Sequence, residues 1–158
     1  MVKDLCYTVV ARVIESWDQA RVTPNFEESA GELALLKLFE LEPRTKKVFN
    51  FAPDYVPSPE ELKSSGNLTH AVRMMEMFDA ALSMLGPDSE ALTEILHDLG
   101  KRHIRYGVSP HFFPFMGQAL IYALSQILGS RWNSDVENAW VEVYDELSGD
   151  IMKSILNE

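Results

Sequence analysis

Apolar side chains recur every three or four residues in several long segments of the chain, which is the spacing of one face of an α-helix. The clearest segment, near the C-terminus, carries the pattern at Val136, Trp140, Val143, Leu147, Ile151 and Ile155. No run of alternating β-branched residues bounded by turns stands out, so strands are not expected. We therefore predict an all-α fold with about six long and two short helices.

Prolines and short polar residues predict where these helices begin and end. Two N-terminal helices are expected at 5–19 and Phe26–Leu41, with Thr23 and Pro24 between them. A short helical turn should run from Pro43 to Phe49, and the three prolines within 52–59 indicate an irregular loop. For the last helix, Ser134 and Glu137 have the spacing of a capping box.

The length, charge and cysteine content narrow the class of protein. A chain of 158 residues is expected to form a single domain, 1–158, around one core. Its formal net charge of -10 argues against nucleic acid and anionic membrane surfaces as partners. Cys6 is the single cysteine and the N-terminal segment lacks the pattern of a signal peptide, so we expect a cytoplasmic protein.

Residues 106–130 contain no Asp, Glu, Lys or Arg, so the segment must be weighed as a membrane span. It includes prolines, glutamines and a histidine, and its apolar residues follow a helical stripe. We therefore interpret it as a helix buried in a water-soluble core.

One histidine lies at the end of an apolar stripe. Leu92, Leu96 and Leu99 are followed at the next helical step by His103, which is therefore expected to point into the core. A buried imidazole needs a partner, because leaving it unpaired costs about 1–3 kcal/mol. That partner can be a backbone carbonyl in a purely structural role, or it can be a metal.

A second histidine makes a metal the more favoured partner for His103. His70 lies one turn before Met74, at the border of the apolar face of another helix. Two imidazoles on separate helices that face one apolar space suit a haem iron, with a flat porphyrin between them. Zinc fits less well, because it usually needs three or four ligands and no further set at ligand spacing is present. His97 and His111 are expected to be solvated.

One motif of the chain surrounds His103. The run Leu99-Gly100-Lys101-Arg102-His103, followed by Tyr106-Gly107-Val108, is similar to the proximal-histidine region of globins, most closely in the neuroglobin and cytoglobin branch. Further likeness lies in Leu128-Gly129, Trp132, Ala139-Trp140 and Tyr144, and in Phe39-Glu40-Leu41-Glu42-Pro43 with Val48-Phe49. Trp17 stands where globins carry a tryptophan on the first helix, so the resemblance extends from Trp17 to about residue 152.

The resemblance implies a haem b cofactor with His103 as proximal ligand and His70 as distal histidine. It also implies that Phe49 packs flat on the haem, and that Leu35 caps the distal pocket. The remaining lining would come from Met74, Leu99, Val108 and Phe113. Arg73 and Arg102 would pair with the propionates, although both also suit a solvated helix face. Gly31 and Ala71 match positions where two globin helices cross closely.

The implied function is reversible binding of O₂, NO or CO for storage, transport or sensing. His70 would either face the gas or bind the iron itself as a sixth ligand. One alternative is a redox enzyme, such as an NO dioxygenase or nitrite reductase, that uses an external reductase. Another is a globin fold that has lost its haem. The chain is expected to be a monomer or a homodimer.

Overall fold

The computed structural model describes residues 1–156, apart from the side chains of Lys3, Ser154 and Leu156, and that part of the chain contains helices and no strand. Six long helices and one short one form the framework: α1 Tyr7–Arg21, α2 Phe26–Leu41, α3 Pro59–Ser64, α4 Asn67–Met84, α5 Ser89–Arg105, α6 Phe113–Leu128 and α7 Ser134–Leu156. Short 3₁₀ helices cover Val2–Asp4, Pro43–Phe49, Pro110–Phe112 and Gly129–Arg131. The predicted all-α fold is confirmed.

Local capping explains most of the observed helix bounds. Helix α2 has the predicted limits, and the turn after it is a 3₁₀ helix that begins at Pro43. Helix α3 begins with a capping box, in which Ser58 and Glu61 each accept the other's backbone N–H. The capping box predicted for α7 is wrong: Asn133 accepts the Val136 N–H at 2.9 Å, and Glu137 instead accepts the Trp132 indole N–H.

The larger of two apolar clusters is centred on tryptophans. The Trp17 ring meets Phe26 edge-on at a centroid distance of 5.1 Å and lies 5.9 Å from the Trp140 ring. Buried residues of α1, α4, α5, α6 and α7 surround this pair. Each fully buried side chain of this size contributes about 1.5–3 kcal/mol, so this cluster is a main source of stability.

A second, smaller cluster lies between α2, α3, α4 and α6. Its buried members are Leu35, Leu38, Phe39, Leu62, Ala71 and Ala119, and Phe49 and Phe51 pack against them. Helix α2 crosses α4 closely here: a Cβ at Gly31 would lie 3.0 Å from the Ala71 Cβ. The predicted close crossing at Gly31 and Ala71 is therefore confirmed.

Helix α6, with the turn before it, is the segment that was weighed as a membrane span. Residues Pro110–Arg131 are long and apolar enough to cross a bilayer by length and composition alone. Within the fold, however, α6 packs along α2 and α7 and buries one whole face. That face consists of Phe113, Gly117, Ala119, Leu120, Ala123, Leu124 and Leu128. Packing of this face in the core explains the apolar composition of α6.

Candidate functional site

The side chain of His103 is oriented by its own helix. Its Nδ1 lies 2.8 Å from the Leu99 carbonyl oxygen, one turn earlier in α5. A carbonyl can only accept a hydrogen bond, so Nδ1 must carry the proton when the imidazole is neutral. This tautomer leaves the lone pair of Nε2 free to bind a metal, and the same bond fixes the direction of the ring.

The ring of Phe113 lies beside His103, with 5.6 Å between centroids. The backbone carbonyl of Phe113 accepts a hydrogen bond from the buried Tyr144 hydroxyl at 2.6 Å. Burial raises the pKa of Tyr144. The Tyr144 ring lies directly over Gly117, where a Cβ would be 2.3 Å from Tyr144 Cε1. The backbone N–H of Val108 donates to the His103 carbonyl oxygen at 3.0 Å, which holds Val108 next to His103. The surroundings of His103 are therefore held by specific contacts.

His70 lies in the first turn of α4, and its ring is 5.8 Å from the Phe49 ring between centroids. Its pKa is lowered from 6.5, first by burial and then by the positive charges of His103 and Arg73. The imidazole is therefore neutral at pH 7. The electrostatic effect of His103 on this pKa also indicates that the two side chains lie near each other.

Apolar residues predicted for the site take different places around it. Phe49 is half-buried; its ring lies 5.4 Å from Phe39, and Asn67 donates to its carbonyl at 3.2 Å. Leu35 is buried in the smaller cluster together with Ala71, the residue after His70. Met74 and Leu99 are half-buried and pack against the larger cluster.

The two arginines predicted to meet the haem propionates are close to the histidines in the sequence. Arg73 is exposed one turn after His70, and Arg102 is exposed next to His103. Neither forms an ion pair within the described residues. Both guanidinium groups are therefore open to an anionic partner from solution.

The two histidine-bearing helices pack on different neighbours. Helix α4 packs mainly on α2 and α5 packs mainly on α7, and the two touch each other over only a short length. Among the described residues, no group of three or more His, Cys, Asp or Glu side chains could hold a metal ion. Histidine is the residue type that most often binds haem iron, whose remaining ligands would come from the porphyrin.

Two histidines outside this pair have different surroundings. His111 is exposed, as predicted. The expectation that His97 is solvated is wrong: its side chain is half-buried, and its Nε2 is buried with no hydrogen-bond partner among the described residues. Helices pack on both flanks of α5, so its buried face is wider than the leucine stripe indicated.

Two features near the site were not predicted. The contact of Tyr144 with Gly117 joins α7 to α6, and no pattern within either helix signals it. Lys46 is buried and its ammonium donates to the Pro53 carbonyl at 3.1 Å, which ties the loop after Phe49 to the 3₁₀ helix. A lysine is usually exposed, so its burial had no signal in the sequence.

Comparisons with known proteins show which family the chain resembles. Residues 32–151 match the family model described as Globin. The neuroglobin of Danio rerio is 32% identical over 114 residues, which are 72% of this chain and 71% of the relative. The anaerobic nitrite reductase HBII of Casuarina glauca is 32% identical over 143 residues, covering 87% of this chain and 84% of that protein.

A solved structure shares the fold. The hexacoordinated heme protein from an anhydrobiotic tardigrade at pH 4 superimposes with a TM-score of 0.81 at 22% sequence identity. The match covers 96% of this chain and 95% of that chain. At this identity the likeness concerns the arrangement of the helices.

Proposed function

Because the chain belongs to the globin family, we propose that His103 and His70 hold its haem between them, and that the haem is haem b. As a globin, the chain is a haem protein that binds a diatomic gas. The bound haem supplies an iron with an axial position at which O₂, NO or CO can bind. The chain is proposed to work as one domain, 1–158, in the cytoplasm.

The observation that carries the assignment of His103 is the 2.8 Å hydrogen bond from its Nδ1 to the Leu99 carbonyl. The bond directs the unprotonated Nε2 away from the backbone of α5. It also increases the basicity of that nitrogen, because the carbonyl oxygen partly accepts the Nδ1 proton. His103 is therefore oriented for an axial ligand before any cofactor binds.

His70 can act in two ways on the opposite side. Its lowered pKa keeps it neutral, so its N–H can donate to a polar gas ligand, which contributes about 1–3 kcal/mol. The same neutral imidazole can bind the iron directly, and a gas must then displace it. The tardigrade relative is a hexacoordinated heme protein, which supports the second arrangement for this chain.

The exposed guanidinium groups of Arg73 and Arg102 are proposed to pair with the two propionates. Guanidinium matches a carboxylate in a bidentate geometry, and neither arginine has a competing ion pair among the described residues. Leu35, Phe49, Met74, Leu99, Val108 and Phe113 would cover the faces of the haem. The chain is proposed to act as a monomer or a homodimer.

A second candidate function is a redox reaction. The Casuarina glauca relative is an anaerobic nitrite reductase that aligns over 87% of this chain, which favours nitrite reduction as the alternative. Such a cycle requires electrons from an external reductase. Steady turnover of nitrite with a supplied reductase would favour this alternative over gas storage, transport or sensing.

The first test is the visible spectrum of the ferrous, gas-free protein after reconstitution with haemin. We expect haem bands in the wild type and loss of stable haem in His103→Ala. The matched control is His111→Ala, which removes an exposed histidine and should retain the haem. Retention of haem with an unchanged spectrum in His103→Ala would contradict the assignment of the proximal ligand.

The role of His70 is tested with His70→Leu. Sharp, split visible bands in the wild type that become a single broad band in the variant would show that His70 binds the iron. If the wild type already has one broad band, the variant should instead lose O₂ faster by about tenfold, the equivalent of a 1.4 kcal/mol hydrogen bond. No change in the bands or in the O₂ dissociation rate would remove His70 from the mechanism.

A further inference from the structure

An apolar groove of about 1100 Å³ lies along helix α1. Val2 and Leu5, which precede α1 in the chain, form part of its lining, and the turn between α4 and α5 contributes Leu85, Gly86 and Pro87. None of the described residues that we propose to contact the haem lines this groove. We call it the α1 groove, and it is separate from the candidate site.

The lining residues of α1 form one continuous stripe. Tyr7, Val10, Ile14, Asp18 and Val22 all line the groove and follow one another at spacings of three or four residues, so they share a face of the helix. From the first to the last of them the chain rises by about 22 Å, at 1.5 Å per residue. The groove therefore extends over about four helical turns.

The apolar residues of this stripe are incompletely covered by the rest of the fold. Tyr7 is 87% exposed at one end and Val22 is 76% exposed at the other, and Val10 and Ile14 between them are half-buried. Apolar side chains that border a groove in this way are typical of a protein-interaction site. An exposed tyrosine is also among the residue types that contribute most to binding at such sites.

The surroundings of the α1 groove are acidic. Residues 74–100, which include the turn that lines it, contain six aspartates and glutamates and no lysine or arginine. In the lining itself, Glu15 and Asp18 stand against Arg131. Asp18 is paired with Arg21 at 2.9 Å, whereas Glu15 is exposed and takes part in no ion pair within the described residues. The groove therefore favours a partner with positive charge.

A basic amphipathic helix matches the length, the apolar stripe and the charge of the groove. Its apolar face would pack along the stripe of α1 as one helix packs on another, and lysines or arginines at its borders would face the carboxylates. A second copy of this chain carries the same net charge of -10 and would be repelled, as would an anionic membrane. A small apolar molecule would need neither the charges nor the full length of the groove.

We propose that the α1 groove docks a basic amphipathic helix of a partner protein. Apolar side chains of that helix would cover Tyr7, Ile14 and Val22, and a basic side chain would lie next to Glu15. This site would act alongside the gas-binding function and independently of the haem, because its lining and the residues proposed for the haem do not overlap.

The probe is a synthetic peptide of about 16 residues, with leucines every three or four positions on one helical face and lysines on the rest. Calorimetry measures its affinity for the haem-reconstituted protein at low and high salt. Two comparison peptides separate the requirements of the site. One has the same composition in an order without an apolar face, and the other has glutamate in place of each lysine.

The apolar contribution is tested with Tyr7→Ser combined with Val22→Ser. Both side chains are largely exposed, so their loss should leave the fold intact. The matched control is Tyr106→Ser combined with Val56→Ser, which removes the same two residue types from positions that are 74% and 79% exposed and lie outside the groove.

The charge is tested with Glu15→Gln. Its control is Glu142→Gln, which removes an equal charge from an exposed position of α7 that does not line the groove. A general attraction between an acidic protein and a basic peptide would weaken equally in these two variants, whereas a docked helix would respond to Glu15 alone.

We expect the basic amphipathic peptide to bind the wild type more tightly than either comparison peptide, and more weakly as salt rises. Its affinity should fall about tenfold in the Tyr7 and Val22 variant and about threefold in Glu15→Gln at low salt, with both controls unchanged. Equal losses in a test variant and its control, or equal affinities for the three peptides, would overturn the proposal.

Two other occupants of the groove have their own signatures. Sedimentation of the wild type as a dimer that Tyr7→Ser with Val22→Ser dissociates would assign this face to a second copy of the chain. Binding to phosphatidylserine vesicles that the same variant abolishes would assign it to a membrane. Either result would overturn docking of a partner helix.

Discussion

The surroundings of His103 and those of His70 differ in how firmly they hold the side chain. His103 is hydrogen-bonded to its own helix at 2.8 Å, and α5 packs along α7 in the larger cluster. The His70 ring has a contact with Phe49, and among the described residues no hydrogen bond to its ring is found. We therefore expect the His103 side chain to be held more rigidly than that of His70.

Two glycines show the same contrast in helix packing. Gly117, on the side of His103, lies under the Tyr144 ring so closely that a Cβ would overlap its Cε1 and Cδ1 atoms. Gly31, on the side of His70, faces Ala71 less closely, since the added Cβ would lie 3.0 Å from the Ala71 Cβ, but only a small shift of the helix could relieve this contact. An added side chain at Gly117 would therefore overlap Tyr144, whereas one at Gly31 would require a smaller shift of Ala71.

Gly117→Ala should have the largest effect on folding. The added Cβ would lie 2.3 Å from Tyr144 Cε1, so the buried ring must move and release its hydrogen bond to the Phe113 carbonyl. We expect the free energy of unfolding to fall by about 3 kcal/mol, measured by denaturant melting. The control is Gly149→Ala in α7, where no atom lies within 4 Å of the added Cβ and the stability should be unchanged or higher. Equal stabilities in the two variants would show that this side is not rigid.

Gly31→Ala should cost less stability but change the behaviour of His70. Helix α4 must shift to relieve the contacts of the new Cβ with the Ala71 Cβ and backbone, and Ala71 directly follows His70. We expect a loss of about 1 kcal/mol in the free energy of unfolding and an altered fraction of six-coordinate iron in the ferrous spectrum. Gly149→Ala should leave that spectrum unchanged. A spectrum identical to the wild type in Gly31→Ala would mean that the crossing does not position His70.

Glu42→Gln tests the ion pair at the start of the 3₁₀ helix Pro43–Phe49, and its effect on stability should be the smallest of the three. The carboxylate accepts two hydrogen bonds from the Arg44 guanidinium, both at 2.9 Å, which lower the pKa of Glu42 from 4.5 to about 2. A pKa lower in the folded state than in the unfolded chain stabilises the fold above pH 4.5, and this contribution is lost as the pH falls towards 2.

The variant should therefore have a lower Tm than the wild type at pH 7, and the difference should narrow as the pH falls below 4.5. Glu40→Gln provides the control, since it removes an equal charge from an exposed carboxylate of α2 whose pair with Lys37 is worth little. A Tm difference for Glu42→Gln that is constant from pH 7 to pH 3 would contradict the assigned role of the pair.

The sequence was most informative where one apolar face dominates a helix. Leu92, Leu96 and Leu99 predict both α5 and the inward direction of His103, because a stripe of this spacing can be buried in only one way. The bounds of α2 follow equally well from the proline residues on both sides. Helix α5 and the direction of His103 could therefore be predicted in outline from the sequence alone.

Positions at the border of a face were harder to predict. His97 lies beside the leucine stripe, and whether such a residue is buried depends on the width of the neighbouring helices. Asn133 and Ser134 are both good caps, and the choice between them depends on where the 3₁₀ helix Gly129–Arg131 directs the chain. The stacking of Tyr144 on Gly117 joins two helices and has no signature within either one.

The pairing of α2 with α6 has a consequence for synthesis of the chain. Helix α2 is made early, yet the apolar helix it packs on follows only after residues 42–112 have emerged. Until then the apolar face of α2 has α4 as a neighbour but lacks its other partner. The nascent chain therefore carries an exposed apolar surface until α6 has been made, and the fold can close only with the last two long helices.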